Sequence, residues 1–516
     1  MPRDQIVLFP TALQDAIAPD HPVRLVDEIL DQLDWSAWEA SYHGSKGQPP
    51  IHPSVMAKIL LFAMIRRLRS SRSIEYEIKH SIDFIWLAGG RRIDHSTLSE
   101  FRRKNSVGLK DIFKQMIRLA INLGIANLSE LCIDGTRVLA SASKKKTWTA
   151  DRLAKALAEL DSQIAEAMQS LEVNDSIDEY LLGQDVSADH LPAAVSDLKK
   201  RREQLAEHME TAKKMDENRR RLGTKGPAQI PKTDPDSRIL PSKEGGYAAN
   251  YTPMVTTEST SGLIVHADVV IGNVEHDQLG GIIDVIQEDF DAQIERVLAD
   301  SAYINGENLE IAEEKELELI GPLSEKQHAD NPAVRDDPTQ PVAPEDIDKL
   351  PIRPQTKRFD KAAFIYDEQG NTYYCPAGKP MEHRKTERTR QRNGKTFRRE
   401  IYTCNECSGC PLAAFCRKDP DTPGGRDITV DQHEPARRRH RERMNEPASQ
   451  EAYSRRTHAG EYPFAVIKHR FDMRRFLLRG KDGVGQEWLW GSTGFNLLKL
   501  MNVWMTLRTD SQPNPA

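Results

Sequence analysis

Apolar residues recur at three- and four-residue steps through 51–104, a period that predicts a compact helical unit. Pro53 followed by Ser-Val-Met-Ala-Lys-Ile-Leu-Leu-Phe-Ala-Met-Ile opens a helix with an apolar face, a second helix fits 71–80, and the run 82–88 ends at Gly89-Gly90. In the next stretch, from Ile93 to Arg103, Asp94 or Ser96 can cap a short helix. Leu98 and Phe101 then face inward, while Arg102 and Arg103 fall on the polar side. A short, capped, basic helix after a turn has what a helix-turn-helix recognition helix needs, although periodicity alone does not separate it from any other surface helix.

The period shifts toward alternation at 128–142, which reads as a strand or strand pair. It returns to helix over 151–222, with Leu153, Leu157, Leu160, Ile164, Met168 and Leu171 in one arm. Leu198, Leu205 and Met209 repeat in the other arm, across an acidic link at 173–190. Strands resume afterwards, so this antiparallel helical hairpin reads as an insertion. A β-hairpin follows over 247–257 and 262–271, then a helix at 277–288, a short buried strand ending at Asp300, a helix at 306–315 and a strand at 317–321. That order is α/β with a mixed sheet. Residues 322–445 are rich in Pro, Asp, Lys and Arg with little helical period, and helices return at 447–468 and 487–507. The domain organisation read from this is 1–125 helical with a candidate DNA-binding helix, 126–150 with 223–325 the first part of an α/β core, 151–222 the inserted hairpin, 326–446 a basic cysteine-rich insert, and 447–510 the helical end of the core.

A chain of 516 residues exceeds what one hydrophobic core organises, in keeping with several domains. It is 38% hydrophobic and 29% charged, and no stretch nears the roughly 20 apolar residues that span a bilayer. The start, Met-Pro-Arg-Asp-Gln, lacks the order of a secretory signal, so a cytoplasmic, nucleoid-associated location without membrane contact is expected. Net charge is −6, yet the charge is partitioned: acidic residues gather at 307–318 and 329–349, basic ones at 384–399 and 437–443. A basic face can therefore coexist with an acidic total.

Three carboxylates stand where chemistry is plausible. Asp134 lies mid-strand in Leu-Cys-Ile-Asp-Gly-Thr, where burial is costly unless the charge is paired or binds a metal. Asp300 ends the strand Val-Leu-Ala-Asp, and ligands of α/β sheets gather at the carboxyl ends of strands. Glu461 follows Tyr453 and Arg456 and precedes Lys468, and these cations can lower its pKa or grip phosphates. Together, Ile-Asp-Gly-Thr, Leu-Ala-Asp-Ser-Ala-Tyr and the spaced Tyr453, Arg456, Glu461, Lys468 resemble the DDE transposases of bacterial insertion sequences that carry a Y-R-E-K signature. His52-Pro53, the Ser-Thr-Leu-Ser-Glu-Phe-Arg-Arg helix and the cysteine insert are similar to the same group. The resemblance runs from about residue 10 to 507.

The resemblance implies a ribonuclease-H-like core in which Asp134, Asp300 and Glu461 bind two magnesium ions, with manganese as a substitute. It also implies strand cleavage at the terminal inverted repeats of an insertion sequence, followed by joining to target DNA. Tyr453, Arg456 and Lys468 would hold the transposon end. Two departures stand out: Gly460 precedes the glutamate where a bulkier residue is expected, and four residues rather than three separate Arg456 from Glu461, so that strict spacing falls on Thr457. A catalytically silent DNA-binding regulator and a nuclease that cuts without joining are the alternative readings.

Five of the six cysteines fall between 375 and 416, and Cys132 stands apart as a small buried residue. Clustering in a cytosolic chain favours metal over disulfides. Cys375, Cys407, Cys410 and Cys416 form a candidate tetrahedral zinc site that stabilises the insert, with Cys404 able to replace Cys375. The flanking basic runs, 384–399 (including Arg392 and Lys395) and Arg437-Arg438-Arg439-His440-Arg441, form a candidate phosphate-contacting surface, and Arg102 and Arg103 a second. The expected partners are double-stranded DNA and further copies of the chain, since joining two ends calls for at least a dimer.

Overall fold

The computed structural model describes residues 12–40, 51–182, 193–221, 223–242, 245–323, 331–390, 396–420 and 424–510. Residues 183–192, which include the second part of the acidic link at 173–190, lie outside them, together with Arg392 and Lys395. The chain forms two units, Met1–Ile294 with Arg455–Ala516, and Glu295–Ser454.

In the first unit, helices α1 (Pro22–Asp31), α2 (Pro53–Ile65), α3 (Ser71–His80), α4 (His95–Lys104) and α5 (Ser106–Asn122) form the helical part. Proline opens α1 and α2, where its missing N–H costs nothing, and His21 and His52 accept the N–H of Val23 and Ser54. Of the two caps expected for α4, Asp94 is the one used: its carboxylate accepts the N–H groups of Ser96 and Thr97, both at 2.9 Å. Leu98 and Phe101 are buried as the pattern predicts. The C-terminal helix Lys481–Asp510 is apolar nearly all round, with Trp488, Trp490, Phe495 and Leu500 buried, because it packs against α1, α2, α4 and α5 at once.

The same unit holds an antiparallel meander of β1 (Glu130–Gly135), β2 (Tyr247–Glu258) and β3 (Ile264–Val270), in which Asp134 lies opposite Val255. Leu131, Cys132 and Ile133 are buried on both faces. Between β1 and β2 rises the hairpin of α6 (Ala150–Leu182) and α7 (Ala193–Arg221). Leu153, Leu157 and Leu160 are buried, Leu205 and Met209 are half-buried, and the side chain of Leu171 falls outside the described residues. Helix α8 (Leu279–Phe290) follows β3 and buries Leu279, Ile282, Ile283 and Ile286.

In the second unit, β4 (Arg296–Leu298) and β5 (Glu318–Ile320) run parallel, joined by α9 (Gly306–Glu314). Read along the chain, three antiparallel strands, a helix, a strand, a helix and a parallel strand make the ribonuclease-H-like order, interrupted by the helical hairpin and preceded by the helical region. The fold class is the one expected.

The insert is more regular than its sequence suggests. A five-stranded antiparallel sheet runs in the order β6 (Ile365–Asp367), β7 (Thr372–Tyr374), β8 (Pro380–Arg390), β9 (Thr396–Thr403), β10 (Asp427–Asp431). Its core includes Phe359, Phe364, Tyr373, Met381, Tyr402 and Ile428. Strand β8 shows no apolar alternation because all but Met381 and Glu387 of its residues are exposed. Helices α10 (Glu434–Asn445) and α11 (Pro447–Arg456) follow. The single helix expected over 447–468 is instead broken into α11, a π-helical turn at Thr457–Glu461, a short α-helix at Tyr462–Ala465 and a second π-helical turn at Val466–Arg470.

Candidate active site

Successive β-strand side chains point to opposite faces, so Glu130, Cys132, Asp134 and, just past the strand, Thr136 share one side of β1. Each of them meets the segment 455–468. The Arg455 guanidinium donates to both carboxylate oxygens of Glu130 at 3.1 and 2.8 Å. The Cys132 thiol reaches the Arg456 carbonyl at 3.8 Å, and Arg456 Nη2 lies 3.1 Å from Asp134 Oδ2. Lys468 Nζ donates to Thr136 Oγ1 at 2.5 Å and to the Arg137 carbonyl at 2.8 Å. From β2, Thr257 Oγ1 donates to the Ala459 carbonyl at 3.0 Å and fixes the π turn against the strand pair.

Asp134 is only 8% exposed and so needs compensation. It receives the Gly135 N–H at 2.8 Å and the Arg456 guanidinium. Arg456, expected to face DNA, is thus also the counter-charge of the buried aspartate.

Both departures from the Y-R-E-K pattern have structural reasons. A β-carbon at residue 460 would lie 3.0 Å from Cys132 Sγ and 3.5 Å from Asp134 Oδ2. The helix backbone therefore crosses β1 so closely that even a methyl presses on Cys132 Sγ, and a bulkier residue presses harder. The additional residue between Arg456 and Glu461 is taken up by the π turn, whose i→i+5 bonding brings residues five apart onto one face. Glu461 is exposed, next to the glycine that rests on Asp134.

In the second unit, Asp300 stands just beyond β4, where its Oδ1 accepts the Ala302 N–H at 2.9 Å. Tyr453 lies on α11, half-buried. Among the described residues, no three His, Cys, Asp or Glu side chains already stand grouped to hold a metal ion.

Several cations expected to meet DNA are engaged within the chain. Arg102 turns inward and donates to the Arg69 carbonyl at 2.7 Å, beside the buried Arg69–Glu487 pair, while Arg103 is exposed. Arg437 is bidentate to Asp431 at 2.8 and 2.9 Å, Arg438 lies 3.6 Å over the Tyr366 ring, and Arg439 is bidentate to Glu313 at 2.9 and 2.7 Å. The physical reason is local: acidic partners on α9 and β10 and an aromatic ring on β6 compete with any external phosphate.

Cys375, Cys404, Cys407, Cys410 and Cys416 line one small cavity, and none of the six cysteines forms a disulfide. The N–H of Lys379 points at Cys375 Sγ and that of Arg426 at Cys407 Sγ, each at 3.4 Å. A hydrogen bond from the Cys404 thiol, helped by the Lys379 N–H, lowers Cys375 to about 6, while the same bond and burial push Cys404 up. Burial raises Cys416 to about 12.

Sequence reasoning gave no role to Thr136, Arg455 or Thr257 and read Cys132 as filler. The signal for Thr136 and Cys132 was the alternation of β1 itself, which puts them on the face of Asp134.

Residues 374–501 match the family described as a transposase DDE domain, which includes Arg456, Glu461 and Lys468 but not Asp134 or Asp300. Residues 11–104 match a second family, a transposase domain of otherwise undescribed function. No curated protein matches the chain. Among solved structures, a cryo-EM structure of the piggyBac transposase synaptic complex with hairpin DNA aligns over 96% of this chain and 76% of that one, at 11% identity and a TM-score of 0.30, a likeness too distant to carry a conclusion. Two stretches toward opposite ends of the sequence are thus similar to transposase domains, the one at 374–501 to a transposase DDE domain.

Proposed function

We propose that the protein binds the terminal inverted repeats of an insertion sequence and catalyses magnesium-dependent cleavage and transfer of DNA strands. Asp134, Asp300 and Glu461 are the carboxylates assigned to two magnesium ions, for which manganese can substitute. The observation that carries the reading is the seating of the Y-R-E-K segment on the Asp-Gly-Thr strand, with Arg456 at 3.1 Å from Asp134 and Gly460 packed over it. Two divalent ions supply charge neutralisation at the attacking and leaving oxygens of the phosphodiester, and hard carboxylate oxygens suit them. The chain's own groups do the rest. Arg456 holds the Asp134 carboxylate in place, Lys468 ties the far end of the segment to the Asp-Gly-Thr loop, and Tyr453, with the outer faces of these cations and Arg103, holds transposon-end phosphates. We further assign a zinc ion to the cysteine cavity, where it would cross-link the insert. Bringing two DNA ends together calls for at least two copies of the chain.

The test uses full-length protein, magnesium and duplexes carrying the inverted repeats that flank the reading frame. Cut and joined products are expected. Asp134→Asn, Asp300→Asn and Glu461→Gln should each lower cleavage by roughly 10²–10³-fold or more with DNA binding retained. A variant that still cuts removes its residue from the site, and cutting without joining identifies a nuclease instead.

A further inference from the structure

Strand β9 pairs with β10 only from Arg399 onward, and β7 reaches β8 only at Pro380 and Met381. Among the described residues, Arg388–Arg390 and Thr396–Arg398 therefore continue as a two-stranded ribbon past the last strand-paired residue of β10, with Arg398 still exchanging hydrogen bonds with Gln432. Three residues at about 3.4 Å each give about 10 Å of two-stranded ribbon. Nearly every side chain along it is exposed.

The register sorts its charges. One face carries Thr386, Arg388 and Arg390 opposite Glu400, Arg398 and Thr396, and the other carries Lys385 and Glu387 opposite Ile401 and Arg399. Arg388 thus lies directly across from Arg398, a like-charge pairing that weakens an isolated ribbon. Glu400 neutralises Arg398, and Glu387 neutralises Lys385 at 2.6 Å. Among the described residues, no carboxylate stands within ion-pair distance of Arg388, Arg390 or Arg399. Arg399 rests instead 5.3 Å from the Phe397 ring. In a chain of net charge −6, both faces of this ribbon carry exposed guanidinium groups.

We propose that this β8–β9 ribbon enters a groove of duplex DNA and contacts the phosphates on either side; the proposal rests on the DNA-transposase reading. A ribbon cationic on one face would lie flat on a polyanion. One cationic on both faces fits between two phosphate backbones, and the major groove, about 12 Å wide, admits a two-stranded ribbon. Bound phosphates supply the counter-charge that Arg388 and Arg390 lack, and the Thr389 and Thr396 hydroxyls add donors for phosphate oxygens. Contacts that run to phosphates carry no sequence information, so the binding is indifferent to sequence.

The test is fluorescence anisotropy of the full chain on inverted-repeat and unrelated duplexes across a salt series. The triple variant Arg388→Ala, Arg390→Ala, Arg399→Ala should lose affinity by the same factor on both duplexes. Its slope of log affinity against log salt should become shallower by about 0.9 for each phosphate that is no longer neutralised, about 2.7 for three. The corresponding triple lysine variant should keep the wild-type slope, which separates removal of charge from a collapsed fold. Unchanged affinity and slope in the alanine variant, or equal losses in the lysine variant, would overturn the ribbon assignment alone. Wild-type protein that binds no duplex would overturn the transposase reading with it.

Discussion

Gly460 shows how one missing side chain sets the geometry around Asp134. A β-carbon there approaches Cys132 Sγ to 3.0 Å, so an added methyl forces the helix off the strand by a few tenths of an ångström. Glu461 is the next residue and moves with it. Gly460→Val should cost about 1–3 kcal/mol of stability, the usual range for overpacking, and should lower cleavage further by displacing the glutamate. Gly460→Ala should lose less, and combining it with Cys132→Ala should restore most of the loss, because the two residues compete for the same space. Thermal melts and cleavage assays on the double-mutant cycle check this; additive losses would show that the close approach is not the cause. The expectation of a bulky residue at 460 came from a pattern, and only the distance across to β1 reveals why glycine is used. Asp134 itself was legible, since a carboxylate inside Leu-Cys-Ile-Asp has to be compensated wherever that strand packs.

At the level of elements, the π turn at Thr457–Glu461 reconciles an irregular spacing with a regular placement. One residue added to an α-helix rotates everything beyond it by about 100°. Taken up in a wider turn, the same residue leaves Gly460 against Asp134 and Lys468 against Thr136. Deleting Thr457 should therefore close the segment to ordinary α-helix and keep cleavage within about tenfold, roughly 1.4 kcal/mol of barrier. Inserting an alanine after Arg456 has no such outlet and should abolish cleavage. The opposite ranking of the two variants would refute this account. Helical and strand elements of the core were readable to within a few residues, including the hairpin at 247–271 and the strand that ends at Asp300, because each buries one face and leaves its period in the sequence. The β6–β10 sheet was not. Its longest strands are solvated on both sides, so their hydrogen bonds hold them without any apolar alternation to announce it.

For the molecule as a whole, the cysteine cavity and the meander belong to separately organised units, which makes the role of zinc measurable by location. One zinc per purified chain is expected. Its removal with a chelator, or the substitution Cys407→Ser, should strip hydrogen-exchange protection from 365–431 while leaving protection in the helices at 53–122 intact. Uniform loss across the chain, or none, would exclude a zinc cross-link confined to the insert. Clustered cysteines were conspicuous in the sequence, but which sulfurs share a cavity depends on a sheet that the sequence did not disclose. The basic runs were conspicuous too, yet Arg437 and Arg439 are spent on Asp431 and Glu313, partners distant enough in order or spacing to escape a charge count.

The side-chain amide of Asn496, on the C-terminal helix, both accepts the Ile264 N–H at 2.9 Å and donates to the Ile264 carbonyl at 2.7 Å. It stands in for one peptide group of a neighbouring strand. The outer rim of the meander is thereby closed by a helix rather than left as a row of open backbone groups. Another polypeptide cannot extend the sheet at that position.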